Sequence, residues 1–145
     1  MSDKQLFSVS RAEDAVYKTG LRSFMEYRDL GIEGATQGRY RAHVIRVKPA
    51  ERGHDQDLHT TGLHQHFCDF QMVYVLNGWA TFEYAGQGAR TIRKGDCINQ
   101  IPGIPHRELA CSEDFEVLEI VAPADFKTRI VEAPVQAQAQ AQAAE

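Results

Sequence analysis

From Tyr40 onward the chain breaks into short runs in which apolar and polar residues alternate, the period of a half-buried strand and not of a helix. In YRAHVIRV, Arg41, His43, Ile45 and Val47 fall on one face, and Tyr40, Ala42, Val44 and Arg46 on the other. The polar stretch PAERGHDQDLHTTG follows and reads as a loop. Next come QMVYVL and WATFEY, separated by Asn77-Gly78, a pair that favours the positive φ values of a type I′ turn; together they predict a hairpin. TIRKGDCINQIPGIPHREL predicts two short strands divided at Lys94-Gly95-Asp96, and FEVLEIVA a last strand before Pro123. No intervening segment is long enough for a crossover helix, so the expected fold class is all-β and antiparallel, a closed barrel or a sandwich.

The flanks have a different texture. Residues 1–38 read as an N-terminal arm, with a short helix expected around Arg11 to Tyr17 and then Gly20, Gly31, Gly34 and Gly38 interrupting any longer pattern. The barrel domain is placed at residues 39–126, and residues 127–145 form a C-terminal extension. Within and just before that extension, ADFKTRIVE is expected to pack back on the barrel, whereas VQAQAQAQAAE has too little apolar surface to offset the entropy of ordering it.

With 145 residues, 43% of them hydrophobic and 25% charged, the chain suits one globular domain. The net charge of −4, with basic residues spread along the chain, gives no electrostatic footprint for nucleic acid and no basic amphipathic helix for a membrane surface. No apolar run is long enough to span a bilayer, and MSDKQLFSVSRAED lacks the layout of a secretion signal, so a cytoplasmic location is expected. Cys68, Cys97 and Cys111 are odd in number and show no C-x-x-C spacing; all three are read as reduced thiols, small buried hydrophobes, with Cys68 a possible neighbour of the site described next.

Chemistry concentrates in a few positions. His64-x-His66 in an extended strand puts two imidazoles on one face, where they can grip one ion. Gln71 opens the next run and shares a face with Val73 and Val75. His106 follows Pro102-Gly103-Ile104-Pro105, a turn stiffened by two prolines. Glu108, two residues on, lies on the same strand face as His106 and is a weak candidate for a general acid or base; the plainer reading is a carboxylate at the rim. His43, His54 and His59 are read as ordinary surface or core histidines, His59 being the nearest to the pocket mouth. Tyr74, Trp79, Phe82 and Tyr84 are read as packing residues before pocket residues.

His64-x-His66, Gln71 and Gly78, followed by Gly95-Asp96 through Pro102-Gly103-Ile104-Pro105-His106, resemble the two motifs of the cupin family over residues 40 to 122. The resemblance implies a cupin-type antiparallel β-barrel, the double-stranded β-helix or jelly roll. It further implies one divalent transition metal per chain (Fe, Mn, Ni or Zn), held by His64, His66, Gln71 and His106, and a homodimer built by extending the sheets. Two positions depart from the family pattern: Gln71 stands where an acidic ligand is usual, and Ala110 where asparagine is usual. Some cupins do ligate through glutamine at this place; the other role open to Gln71 is to hydrogen-bond a water or a ligand histidine. Three imidazoles and a neutral amide leave the ion's charge uncompensated, so such a site should hold metal more weakly and draw an anionic ligand more strongly. On that footing Gln71→Glu is expected to retain or tighten the metal.

The function so implied is a metalloenzyme acting on a small, oxygen-rich, anionic substrate, by Lewis-acid isomerase or lyase chemistry or as a non-haem dioxygenase. The alternative is a non-catalytic module that binds a sugar or another small molecule.

Overall fold

The computed structural model describes residues 4–20, 22–57 and 62–131 of the 145. Its strands are β1 (Lys18–Thr19), β2 (Met25–Asp29), β3 (Arg41–Val47), β4 (Gln56–Asp57), β5 (His64–Phe67), β6 (Phe70–Asn77), β7 (Trp79–Tyr84), β8 (Gly88–Arg93), β9 (Cys97–Asn99), β10 (His106–Cys111), β11 (Glu116–Ala122) and β12 (Lys127–Ile130). A single-turn helix, α1 (Ile32–Ala35), joins β2 to β3. One sheet runs β1-β2-β3-β11-β6-β9 and the other β12-β5-β10-β7-β8, with β4 also pairing β10; every pairing is antiparallel. The two sheets face each other as a jelly roll, the all-β architecture expected from the alternating runs.

The Asn77-Gly78 hairpin does not form. β6 pairs with β11 and β9, and β7 pairs with β10 and β8 in the opposite sheet, so the chain turns a corner between layers at this point. Gly78 is still required, for a different reason. It sits at φ +70, and a Cβ there would overlap the Ser112 hydroxyl and stand 2.7 Å from Asp114 Oδ1 and 3.0 Å from the Phe115 backbone. The local cue reported a positive φ correctly, but which strand pairs with which is decided by burial across the two sheets. Lys94-Gly95-Asp96 is a second such corner, taking β8 in one sheet to β9 in the other. β7 instead forms a hairpin with β8, in register from Trp79–Arg93 to Tyr84–Gly88.

The arm also differs from its sequence reading. The helix expected around Arg11 to Tyr17 is only a 3₁₀ turn at Ala12–Asp14, and residues 18–29 supply β1 and β2, with β2 laddered along β3. Downstream, β12 adds to β5, so the segment from Ala124 does return to the barrel. His59 and the VQAQAQAQAAE tail lie outside the described residues.

Inward-facing residues sort by polarity along the barrel axis. At one end Met25, Ile45, Val47, Val75, Ala80, Cys111, Phe115 and Val117 make a dry core, with Val47, Val75, Ala80 and Cys111 fully buried. Each large side chain buried there contributes about 1.5–3 kcal/mol of transfer free energy, which favours closure of the two sheets. Toward the other end the same strand faces carry Arg41 and His43 on β3, Gln71 on β6, His106 and Glu108 on β10, and Glu119 on β11. The dry end supplies the stability that lets the polar end stay buried. Of the cysteines, Cys68 and Cys111 are buried free thiols, but Cys97 is exposed on β9, at the edge of its sheet, and is not the buried hydrophobe expected of it.

Candidate metal centre

His64, His66 and His106 converge. Alternation in β5 puts His64 and His66 on one face with ring centroids 4.8 Å apart, and His106, the first residue of β10, is the direct cross-strand partner of His64. Its ring lies 4.3 Å from that of His64 and 5.0 Å from that of His66. The Pro102–Pro105 turn that delivers His106 is tied to the ligand strand twice: the Gly103 N–H donates to the His66 carbonyl at 2.9 Å, and Gln65 Nε2 donates to the Gly103 carbonyl at 2.8 Å. Gly103 is the residue that can take the φ of +80 this turn needs.

One potential ligand atom from each of the three lies within 4.8 Å of the others, near enough for one ion to meet all three. Their hydrogen bonds say which nitrogens those are. His64 Nδ1 donates to the Gly62 carbonyl at 2.7 Å and His106 Nδ1 to the Ile104 carbonyl at 2.9 Å; a carbonyl only accepts, so Nδ1 carries the proton and Nε2 keeps its lone pair. His66 Nδ1 meets the Thr128 hydroxyl of β12 at 2.9 Å, a partner that can either donate or accept. Oriented imidazoles backed by oxygen are the donor set that a first-row divalent ion takes.

Burial holds all three rings neutral. Desolvation lowers His64, and lowers His66 to about 4 and His106 to about 3, with the neighbouring imidazoles pushing His66 and His106 in the same direction. The ordinary value is 6.5, so between there and about 4 the unfolded chain takes up protons that the native chain refuses. Stability from this source is therefore complete above pH 6.5 and is lost as the pH falls below it. The metal-free protein is expected to show a melting temperature that drops steadily between pH 7 and pH 5, and the His66→Gln/His106→Gln double variant a flatter profile. Equal slopes in calorimetry would rule out the rings as the source.

Gln71 is 3% exposed and does point inward, sharing its face with Val73 and Val75 as expected. Its amide belongs to a buried chain of hydrogen bonds: Tyr84 hydroxyl to Gln100 Oε1 at 3.0 Å, Gln100 Nε2 to Gln71 Oε1 at 3.0 Å, Gln71 Nε2 to Glu119 Oε2 at 3.2 Å, and His43 Nε2 to Glu119 Oε1 at 2.6 Å. Tyr84 stacks on His106 with centroids 5.6 Å apart, which joins this chain to the histidines. Burial pushes the Glu119 carboxyl up, but the His43 and Gln71 hydrogen bonds and the Arg41 charge outweigh it and hold the group below its usual range, hence ionised.

Glu108 is 9% exposed and faces inward, not out at the rim, paired with the guanidinium of Arg22 from the segment between β1 and β2. Desolvation raises its pKa, and Arg22 offsets part of the rise. Sequence reasoning missed Arg22, Gln100 and Glu119. Only Glu119 carried a usable signal, as a charge alternating with Val117 and Val121 on a core-facing strand. His54 is exposed, and His43 serves Glu119. Phe82 and Tyr84 are core, whereas Tyr74 is exposed. An open cavity of about 460 Å³ lies between β8 and β9, walled by Tyr84, Arg90, Ile92, Ile98, Gln100 and Ile104.

No protein-family model matches the sequence, and no curated protein matches it. Solved structures do match. KdgF from a Halomonas species superposes with a TM-score of 0.60 at 17% identity, over 81% of this chain and 94% of that one. The polyketide cyclase RemF from Streptomyces resistomycificus gives 0.62 at 17%, over 89% and 88%. A cupin-superfamily sugar phosphate isomerase from Silicibacter pomeroyi gives 0.61 at 14%, over 87% and 82%. The fold is that of the cupins. Proteins with such different names share this scaffold at low identity, so what this chain does has to be argued from its own side chains.

Proposed function

We propose that this cupin is a metal-dependent enzyme for a small, oxygen-rich, anionic substrate, with His64, His66, His106 and Gln71 holding one divalent transition ion (Fe, Mn, Ni or Zn). The observation that carries the reading is the set of three neutral imidazoles, two of them with Nδ1 committed to a backbone carbonyl, converging at the polar end of the barrel. A bound ion would supply Lewis acidity, polarising a carbonyl or carboxylate of the substrate. Arg22, ion-paired with Glu108, anchors that carboxylate. Glu108, its pKa raised by burial, is the group proposed to take a proton from carbon beside the polarised group or to return one. Lewis-acid isomerisation or elimination is favoured over oxygen chemistry, because the facial triad common in iron oxygenases includes a carboxylate ligand. Pairing as a homodimer and a cytoplasmic location belong to the same proposal.

Chain purified without chelators is expected to contain about one transition-metal ion per protomer by elemental analysis and to run as a dimer in light scattering. Sugar acids, sugar phosphates and diketones, assayed with and without oxygen, should include one that turns over only in the metal-loaded protein and equally well without oxygen. Stoichiometric metal with no turnover of any of them would instead favour a small-molecule binding module, and dependence on oxygen would favour a dioxygenase.

A further inference from the structure

Resting on the reading of Gln71 as a donor to the ion, we infer that Glu119 is a positioning residue that supplies, one hydrogen bond further out, the negative charge the ligand set lacks. Glu119 lies between the His43 ring nitrogen, 2.6 Å from Oε1, and Gln71, whose NH₂ group donates to Oε2 at 3.2 Å. The amide oxygen is thereby turned the opposite way, toward Gln100 Nε2 at 3.0 Å. Gln100 cannot reverse without setting two amide oxygens against each other, so its own oxygen faces the Tyr84 hydroxyl. One carboxylate thus fixes the orientation of two buried amides and of a phenol.

Gln71 Oε1 has two lone pairs, and Gln100 takes one of them, which leaves one for an ion. A carboxylate accepting the amide proton draws electron density toward that oxygen, and bonds in a chain reinforce one another at low dielectric. Glu119 is itself braced by the His43 ring at 2.6 Å, with Arg41 beside it on the neighbouring strand. Outer partners of ligand side chains are typically worth about 10–100-fold in metal affinity.

Gln71→Glu alone is a poor probe, because it sets two carboxylates at hydrogen-bond distance where they must share a proton. That neighbour modifies the simple expectation that Gln71→Glu retains or tightens the metal. The exchange Gln71→Glu/Glu119→Gln avoids the problem. The carboxylate moves inward, the amide moves outward, and every hydrogen bond in the chain keeps a donor and an acceptor.

The test is the dissociation constant for Zn²⁺, measured by competition with a chromophoric chelator on full-length protein whose fold is checked by circular dichroism. Glu119→Gln is expected to weaken binding about 10–100-fold, and the exchange to recover affinity to the wild-type value or better. Gln71→Leu separates the two readings. Unchanged Zn²⁺ affinity in Gln71→Leu removes Gln71 from the ligand set and overturns the inference with it. Loss in Gln71→Leu with no loss in Glu119→Gln leaves Gln71 a ligand and overturns the role of Glu119 alone. A folded exchange variant that still binds about 10-fold more weakly than wild type also overturns it, since a packing role would not be rescued by moving the charge. If Glu119→Gln does not fold, wild type against the exchange variant decides.

Discussion

His106→Ala is expected to strip the metal from the protein, lowering affinity by more than about 100-fold, because it removes a direct donor where loss of a mere outer partner costs about 10–100-fold. His106 joins the cluster to the buried amide chain: it is 4.3 Å from the His64 ring, 5.0 Å from the His66 ring, and stacked on Tyr84. The substitution also empties a site only 3% exposed, so some loss of thermal stability accompanies it. Elemental analysis and chelator competition on folded protein measure the effect. His54→Ala, at an exposed position away from the centre, is the control and should keep its metal. If both variants retain the ion equally, the histidine cluster is not its site.

The second large effect is structural. Gly78→Ala forces a side chain into the left-handed region, which costs about 1–2 kcal/mol, and drives its Cβ against Ser112, Asp114 and the Phe115 backbone. Together these are expected to reach on the order of 3 kcal/mol or more, a drop of roughly 10 °C in melting temperature for a domain of this size. Gly88→Ala isolates the two contributions. That glycine has φ +73 but open space around its Cβ position, so only the conformational cost applies. Equal losses at the two positions would mean that the corner at Gly78 has room to relax.

The pair of glycines also shows what the sequence could and could not disclose. Alternation placed β3, β6 and β11 to within a residue or two, because one face of each is buried and the period of two is physical. It also put Gln71, Val73 and Val75 on one inner face and His64 beside His66. Pairing was a different matter. Asn77-Gly78 reports only a local backbone angle, and whether the strands on either side of it join one another or part to opposite sheets depends on contacts tens of residues away. Arg22 was hidden for the same reason. Nothing local to it marks a guanidinium that will reach Glu108, 86 residues on in sequence. Cys97 was misjudged because composition favours burial of thiols, while β9 ends its sheet and leaves this one outside.

The last described strand gives the site an order of assembly. β12 is the partner of β5 along Lys127–Ile130, and its Thr128 hydroxyl is what holds the His66 ring. During synthesis the first sheet has all its strands once β11 has emerged, and the greasy half of the barrel can shut. At that moment the histidine strand still lacks one flank. A truncation after Phe126 is expected to remove β12 and with it the Thr128 hydroxyl, leaving His66 without that partner while His64 and His106 keep theirs at Gly62 and Ile104.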